Sequence, residues 1–192
     1  MTDMYTQLVE DHVVLTDLLN SLEVVFSHYD ENTDFNPDLG LILDTLEYIT
    51  NYPEAYHHPL EERAFKYLLK RHMGDANIIR EIQTQHIALE EETLELTRLF
   101  NAVANDCVVP IEELKTRLRH YVDAQRQHIS TENINIFPVL AKLEESDWWD
   151  IASGLAIENL PCLPDDPCRS AYLDTVQYIR EQSEKAYPEL AS

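Results

Sequence analysis

The sequence predicts an all-α protein, an up-down-up-down four-helix bundle followed by a short C-terminal helical extension. Apolar residues recur at helical spacing along four long segments. The chain of 192 residues contains only 3 Gly, which favours helices over a turn-rich sheet. An apolar fraction of 44% at this length allows one domain to bury a substantial core. We therefore assign residues 1–143 to the bundle and residues 144–192 to the extension.

The first predicted helix covers residues 3–28 and carries His12 in the middle of its apolar stripe. At about 100° of rotation per residue, the apolar residues within about 60° of His12 are Tyr5, Leu8, Leu15, Leu19 and Phe26. A histidine in this position requires a partner, because burying an unpaired polar side chain is costly. His28 lies at the end of this helix, where we expect it to act as a capping cation.

The second predicted helix covers residues 37–69 and contains the consecutive histidines His57 and His58. Its apolar stripe surrounds His57 and consists of Leu46, Pro53, Leu60, Ala64 and Leu68. Glu61 follows His57 by one helical turn and lies about 40° from it around the helix. The stripe therefore selects His57 with Glu61 as the inward-facing pair.

His58 is about 100° further round the helix, at the polar edge, and Glu62 accompanies it. We therefore expect replacement of His58 to leave an inward-facing site intact. Pro59 lies within the predicted helix and permits a kink or break. Such a kink would shift the register and make His58 and Glu62 the inward-facing pair, so this alternative stays open.

The third predicted helix, residues 75–104, places His86 in the middle of a stripe formed by Ile79, Ile82, Leu89, Thr93, Leu96 and Phe100. Glu90, one turn after His86, is either a spare ligand or part of an acidic outer face.

The fourth predicted helix, residues 110–143, aligns His128 and Glu132 with Leu114, Tyr121, Ala124, Thr131 and Val139. His120 falls at the edge of that stripe.

Each of the four helices thus brings a histidine to its buried stripe, and two add a glutamate one turn later. The candidate metal ligands are His12, His57, Glu61, His86, His128 and Glu132. Imidazole and carboxylate together form a ligand set for Fe, Mn, Zn or Ni rather than for Ca or Mg. The separation of His12 from His57 is similar to that of His86 from His128, which indicates an internal duplication of a two-helix unit. Six protein ligands shared between two metals leave open positions, which are typical of a reactive site.

The sequence resembles the hemerythrin-like HHE cation-binding domains from about residue 8 to about residue 142. The resemblance is carried by the two H-x3-E pairs, by Glu61-Glu62 and by Ile136-Phe137-Pro138 after the second pair. It is closest to the four-histidine, two-glutamate variant found in di-iron proteins that repair iron–sulfur clusters after nitrosative stress. The resemblance implies that the six candidate residues ligate two irons, which the glutamates and an oxo or hydroxo group bridge.

The function implied by this resemblance is that of a non-haem di-iron protein that binds or senses O2, nitric oxide or peroxide; whether it is also an enzyme stays open. One alternative is a binding or storage protein for zinc, manganese or another divalent metal at the same site. Another is a ferritin-like di-iron oxidase, for which Glu54-Ala55-Tyr56-His57 supplies one E-x-x-H motif. A metal-free acidic adaptor would leave four buried histidines unexplained.

The net charge of −22 argues against nucleic acid and anionic membranes as partners. No apolar run approaches the roughly 20 residues that span a bilayer, and the N-terminus lacks the regions of a signal peptide. Three cysteines without a C-x-x-C pair indicate reduced thiols, so we expect a cytoplasmic protein.

In the extension, a proline-rich connector at 160–168 precedes an amphipathic helix at 170–186. We expect the extension to pack on the bundle or to mediate a homodimer.

Overall fold

The computed structural model describes residues 4–27, 38–153 and 167–187, and all regular structure in these ranges is helical. The α-helices are α1 (Met4–Ser27), α2 (Leu39–Asn51), α3 (His58–Lys70), α4 (Ala76–Ala104), α5 (Ile111–Asn135), α6 (Phe137–Leu140), α7 (Glu145–Ala152) and α8 (Pro167–Ala186). His28 and residues 160–166 of the predicted connector lie outside the described residues. Among the helices of the described residues, none has the length and hydrophobicity that a transmembrane span requires.

Four long segments form the predicted up-down-up-down bundle: α1, α2 with α3, α4, and α5. Their core is divided into two apolar clusters at opposite ends. The upper cluster contains the C-terminal half of α1, α2, the end of α4 and the start of α5, including Leu22, Ile49, Phe100 and Leu118. The lower cluster contains the start of α1, α3, the start of α4 and α6, including Leu8, Phe65, Ile82 and Phe137. The buried histidines occupy the layer between the two clusters.

Short polar side chains begin two of these helices. Asp38 accepts a hydrogen bond from the Leu41 backbone N–H at 3.2 Å and starts α2. Asp75 accepts one from the Asn77 backbone N–H at 2.8 Å and starts α4. Gly74, just before this second cap, has φ +76°, a conformation that glycine adopts without the steric cost of a side chain. These residues fix where the chain turns between α3 and α4.

The prediction of one continuous helix over residues 37–69 is wrong in one respect. A π-helical turn, Pro53–His57, separates α2 from α3. In this turn the His57 backbone N–H contacts the Tyr52 carbonyl five residues earlier, at 3.4 Å. Pro53 lacks an N–H, and its ring clashes with the carbonyl one turn back, so a regular helix cannot continue through it. The interruption begins at Pro53 and includes His57. Pro59, at which the sequence allowed a kink or break, instead lies in the first turn of α3, where its missing N–H costs no helical hydrogen bond.

The predicted fourth helix is also interrupted. The α5 helix ends at Asn135, and the single turn α6 follows with Pro138 in its first turn. The Pro138 ring cannot donate a hydrogen bond to a carbonyl in the preceding turn, so the long helix ends here. Phe137 and Leu140 of α6 nevertheless remain buried in the lower cluster.

The C-terminal helices pack on the bundle at different ends. Trp148 and Ile151 of α7 are buried in the lower cluster, next to α3. Val176 and Ile179 of α8 are buried in the upper cluster, where α8 contacts α1 and α2. The extension therefore completes the apolar core at both ends of the bundle.

Candidate metal centre

The structure brings all six predicted ligands together in the polar layer of the bundle. The Nε2 atom of His12 lies 3.2 Å from Glu132 Oε2, and that of His57 lies 3.3 Å from Glu61 Oε1. The Nε2 atom of His86 lies 3.5 Å from oxygens of both glutamates. The His128 Nε2 atom lies 3.4 Å from Glu132 Oε2. Four imidazoles from four segments thus point the same ring nitrogen at two carboxylates.

The opposite nitrogen, Nδ1, of each of these histidines faces an acceptor outside the centre. His12 contacts Asn133 Oδ1 at 3.0 Å and His57 contacts Asp11 Oδ2 at 3.1 Å. His86 contacts Glu62 Oε1 at 3.3 Å and His128 contacts Gln85 Oε1 at 3.2 Å. An acceptor at Nδ1 keeps the proton there and directs the Nε2 lone pair inward, as in the outer shell of metal sites. Helical periodicity pointed to none of Asp11, Gln85 and Asn133, and it offered Glu62 only as an alternative ligand.

His58 was expected at the polar edge of its helix, and this expectation is wrong. The side chain is only 4% exposed. Its ring stacks on that of His86 with the centroids 4.2 Å apart and lies 5.8 Å from that of His128. A bundle helix contacts neighbours on two sides, so its buried face is wide enough for residues about 100° apart. His57 therefore faces α1, whereas His58 faces α4 and α5.

The alternative register, with Glu62 replacing Glu61, does not occur. Glu61 is fully buried in the centre, whereas Glu62 contacts the outer nitrogen of His86 and accepts a hydrogen bond from Gln83 at 2.7 Å. Both consecutive histidines turn inward, but only the first glutamate does. We call the seven inward residues the donor cluster: His12, His57, His58, Glu61, His86, His128 and Glu132.

The two glutamates of the donor cluster are 0% exposed. Within the described residues, their four carboxylate oxygens have no hydrogen-bond partner. Among the described residues, the side chains that form ion-pair contacts with these two glutamates are histidines. Two buried carboxylates of this kind are strongly unfavourable unless a positive charge faces them.

In the absence of metal, two imidazoles supply that charge. Burial lowers the pKa of His57, but Glu61 and Asp11 outweigh it and raise the pKa to about 10. Burial likewise opposes protonation of His86, whereas Glu132, Glu61 and Glu62 raise its pKa to about 11. Burial raises the pKa of Glu61, but the His57 charge holds it well below the usual range.

The pKa values of His58, His128 and Glu132 are lowered instead. Burial, reinforced by the charge of His86, holds the pKa of His58 well below its ordinary value. Burial also lowers the pKa of His128. Burial and Glu61 raise the pKa of Glu132, yet contacts from His12 and His86 lower it overall. At neutral pH the metal-free cluster thus holds two carboxylates, charged imidazoles at His57 and His86, and neutral imidazoles at His58 and His128.

The donor atoms form three groups that could each hold a metal ion, with the ligand atoms of a group within 4.8 Å of one another. The groups are His12, His57 and Glu61; Glu61, His86 and Glu132; and His58, His86 and His128. Imidazole nitrogens with carboxylate oxygens suit iron, manganese and zinc. The residues present therefore fit a transition-metal site, and the buried oxygens without hydrogen bonds are the observation that supports this fit.

Other residues singled out in the sequence lie outside the donor cluster. Glu90 and Glu54 belong to none of these groups. The side chain of His120 is 72% exposed and lies 3.5 Å from Glu92. The single E-x-x-H motif, Glu54 to His57, lies within the π-turn Pro53–His57, and it does not bring Glu54 into any of the three groups.

Comparison with protein families gives one match that covers most of the chain. The model of the hemerythrin HHE cation-binding domain matches residues 3–140. This range contains all seven residues of the donor cluster and ends in α6. No curated protein matches the chain. The chain therefore belongs to the hemerythrin HHE cation-binding domain family.

Proposed function

We propose that this protein is a non-haem di-iron protein that binds or senses O2, nitric oxide or peroxide at a dinuclear centre. The observation that carries the proposal is the convergence of four Nε2 atoms on two fully buried carboxylates without hydrogen bonds. His58 adds a fifth imidazole next to His86 and His128.

The number of donors favours two metal ions. Glu61 belongs to the group with His12 and His57 and to the group with His86 and Glu132. Glu61 could therefore contribute to both ions, of which His12 and His57 would hold one and His58, His86 and His128 the other. Five imidazoles and two carboxylates are too many for one tetrahedral site and too few to fill two six-coordinate ones.

Two iron ions in this centre would supply open coordination positions and electrons for a small ligand. The protein holds the rings through Asp11, Glu62, Gln85 and Asn133, so that little reorganisation accompanies metal binding. No side chain of the donor cluster is more than 4% exposed. Such burial favours diatomic gases and peroxide over larger substrates.

Anaerobic reconstitution of the metal-free protein with Fe2+ tests the proposal. We expect two iron ions per chain and a visible spectrum that changes on addition of O2, nitric oxide or peroxide. His120→Ala is the matched control, because that histidine is exposed and outside the cluster. One iron or none per chain, or a spectrum indifferent to all three ligands, contradicts the proposal.

The same experiment separates the alternatives. A zinc protein would be colourless as purified and would contain zinc rather than iron by metal analysis. An iron store would take up more than two ions per chain. A ferritin-like oxidase would consume O2 continuously with excess Fe2+, whereas a sensor or carrier would react once per centre.

A further inference from the structure

Arg169, in the first turn of α8, extends from the C-terminal extension into the bundle. The residue is 8% exposed. Its Nη1 donates to Asp11 Oδ1 at 2.7 Å and also to the Tyr52 hydroxyl. Its Nη2 lies 3.2 Å from Glu10 Oε2. One guanidinium thus connects α8 with α1 and with the residue that precedes the π-turn.

Asp11 continues this connection to the donor cluster. Its Oδ2 accepts a hydrogen bond from His57 Nδ1 at 3.1 Å, and the Tyr52 hydroxyl donates to its carboxylate at 3.1 Å. The carboxylate is buried, with 2% of Asp11 exposed. Arg169 and His57 therefore bind different oxygens of the same carboxylate, and the position of one restricts the other.

We propose that Arg169 is a positioning residue for the metal centre, which fixes the His57 ring through Asp11. The inference rests on the proposed function, because it assigns Arg169 a role in metal binding. It also assigns the C-terminal extension a role beyond packing, since α8 supplies the arginine. The effect is expected at the half of the centre formed by His12, His57 and Glu61.

The contacts of the other histidines explain why loss of Arg169 should affect only one half of the metal centre. The outer acceptors of His12, His86 and His128 are Asn133, Glu62 and Gln85, which belong to α5, α3 and α4. None of these three contacts includes a residue of α8. A disturbance of Arg169 therefore reaches His57 through Asp11, and it reaches the second half of the centre only through the shared glutamates.

The contacts of Arg169 with Asp11 and Tyr52 are not needed to attach α8 to the bundle, because other residues of the helix do so. Val176 and Ile179 anchor the helix in the upper cluster. Arg180 of the same helix forms an ion pair with Asp17 of α1. These contacts hold α8 on α1 without any link to the donor cluster. Arg180 is therefore a matched control with the same charge on the same helix.

The test compares Arg169→Met with Arg180→Met in the full-length protein. Metal content is measured after equilibrium dialysis against graded Fe2+ without oxygen. For Arg169→Met we expect one ion to bind more weakly, by at most the roughly 10–100-fold that loss of the direct partner of His57, Asp11, would cause. The second ion should bind as in the wild type, and Arg180→Met should keep both affinities.

A second measurement does not depend on metal. In metal-free, 15N-labelled protein, the hydrogen-bonded Nδ1 proton of His57 should give a protected NMR signal. The signal should persist in Arg180→Met and disappear in Arg169→Met. Arg169→Lys keeps the charge without the two-pronged donor, so it should fold as the wild type and give intermediate affinity. It also serves as the test variant if Arg169→Met does not fold.

Equal behaviour of the Arg169 and Arg180 variants in both measurements would overturn the inference. Weakening of both ions to the same extent in Arg169→Met would overturn it as well, because the role would then be general stabilisation. If the wild type bound no iron, the proposed function would fail by itself. The NMR signal would then decide whether Arg169 positions His57.

Discussion

The rings of His58 and His86 stack face to face, with their centroids 4.2 Å apart and an angle of 16° between their planes. The contact joins α3 to α4 inside the centre, and both rings are buried, with 4% of His58 and 3% of His86 exposed. A buried imidazole in this position could hold a metal ion together with His86 and His128.

The first prediction concerns this histidine. His58→Ala should weaken binding of the ion near His86 and His128 about 10–100-fold, by removal of one imidazole from its surroundings. Metal content at limiting Fe2+ measures the effect, and His120→Ala should match the wild type. Unchanged binding in His58→Ala would restore the expectation from helical periodicity, which left His58 out of the site.

The second prediction is that metal binding releases protons. In the metal-free protein His57 and His86 have raised pKa values, about 10 and about 11, so both are charged at neutral pH. An ion at either histidine displaces its proton, so each affinity should rise about tenfold per pH unit between about pH 6.5 and 8.5. Release of about two protons per chain in weakly buffered Fe2+ titrations would confirm this exchange, and a pH-independent affinity would contradict it.

The same shifts set how the metal-free protein responds to pH. A raised histidine pKa stabilises the fold fully below the ordinary value of 6.5, and this contribution is lost as pH rises towards 10 and 11. Glu61 and Glu132 have lowered pKa values, so their contribution is lost as pH falls below the ordinary value of 4.5. Urea unfolding of the metal-free protein should therefore show a lower free energy of unfolding at pH 9 than at pH 7.

The fourth prediction concerns metal removal. Metal binds the folded state in preference to the unfolded chain, so a thousand-fold excess over the dissociation constant stabilises by about 4 kcal/mol. A chelator should therefore lower the melting temperature by roughly 10 °C for a chain of this size. Glu61→Gln combined with Glu132→Gln should abolish most of that difference. Identical melting with and without Fe2+ in the wild type would speak against a native metal site.

The fifth prediction concerns Phe137, whose ring stacks on that of His12 at 4.5 Å with an angle of 8°. Phe137→Ala should cost about 3–5 kcal/mol of stability, the usual loss for a buried phenylalanine, and should also weaken metal binding. Phe100→Ala is the control, because Phe100 is equally buried but lies in the upper cluster. It should lose similar stability while retaining metal affinity. Equal affinities in the two variants would show that the stacking does not position His12.

Helical periodicity was sufficient to predict that His12, His57, His86 and His128 face the same interior as both glutamates, because long amphipathic helices bury a predictable stripe. It placed His58 incorrectly, since a bundle helix buries a wider face and the π-turn changes the phase before α3. The contact between Arg169 and Asp11 spans 158 residues and depends on the course of the chain after α7. No local pattern in the sequence encodes such a pairing.

The division of the apolar core has a consequence for how the protein unfolds. The upper and lower clusters meet at a layer of imidazoles and carboxylates, so apolar contacts between the two ends are interrupted there. Without metal, each end can open as a separate cooperative unit, and amide hydrogen exchange would detect two free energies of opening. Ions bound to all four segments would act as a cross-link through this layer. The centre would then make the bundle unfold as one unit, and exchange rates at the two ends would converge when iron is added.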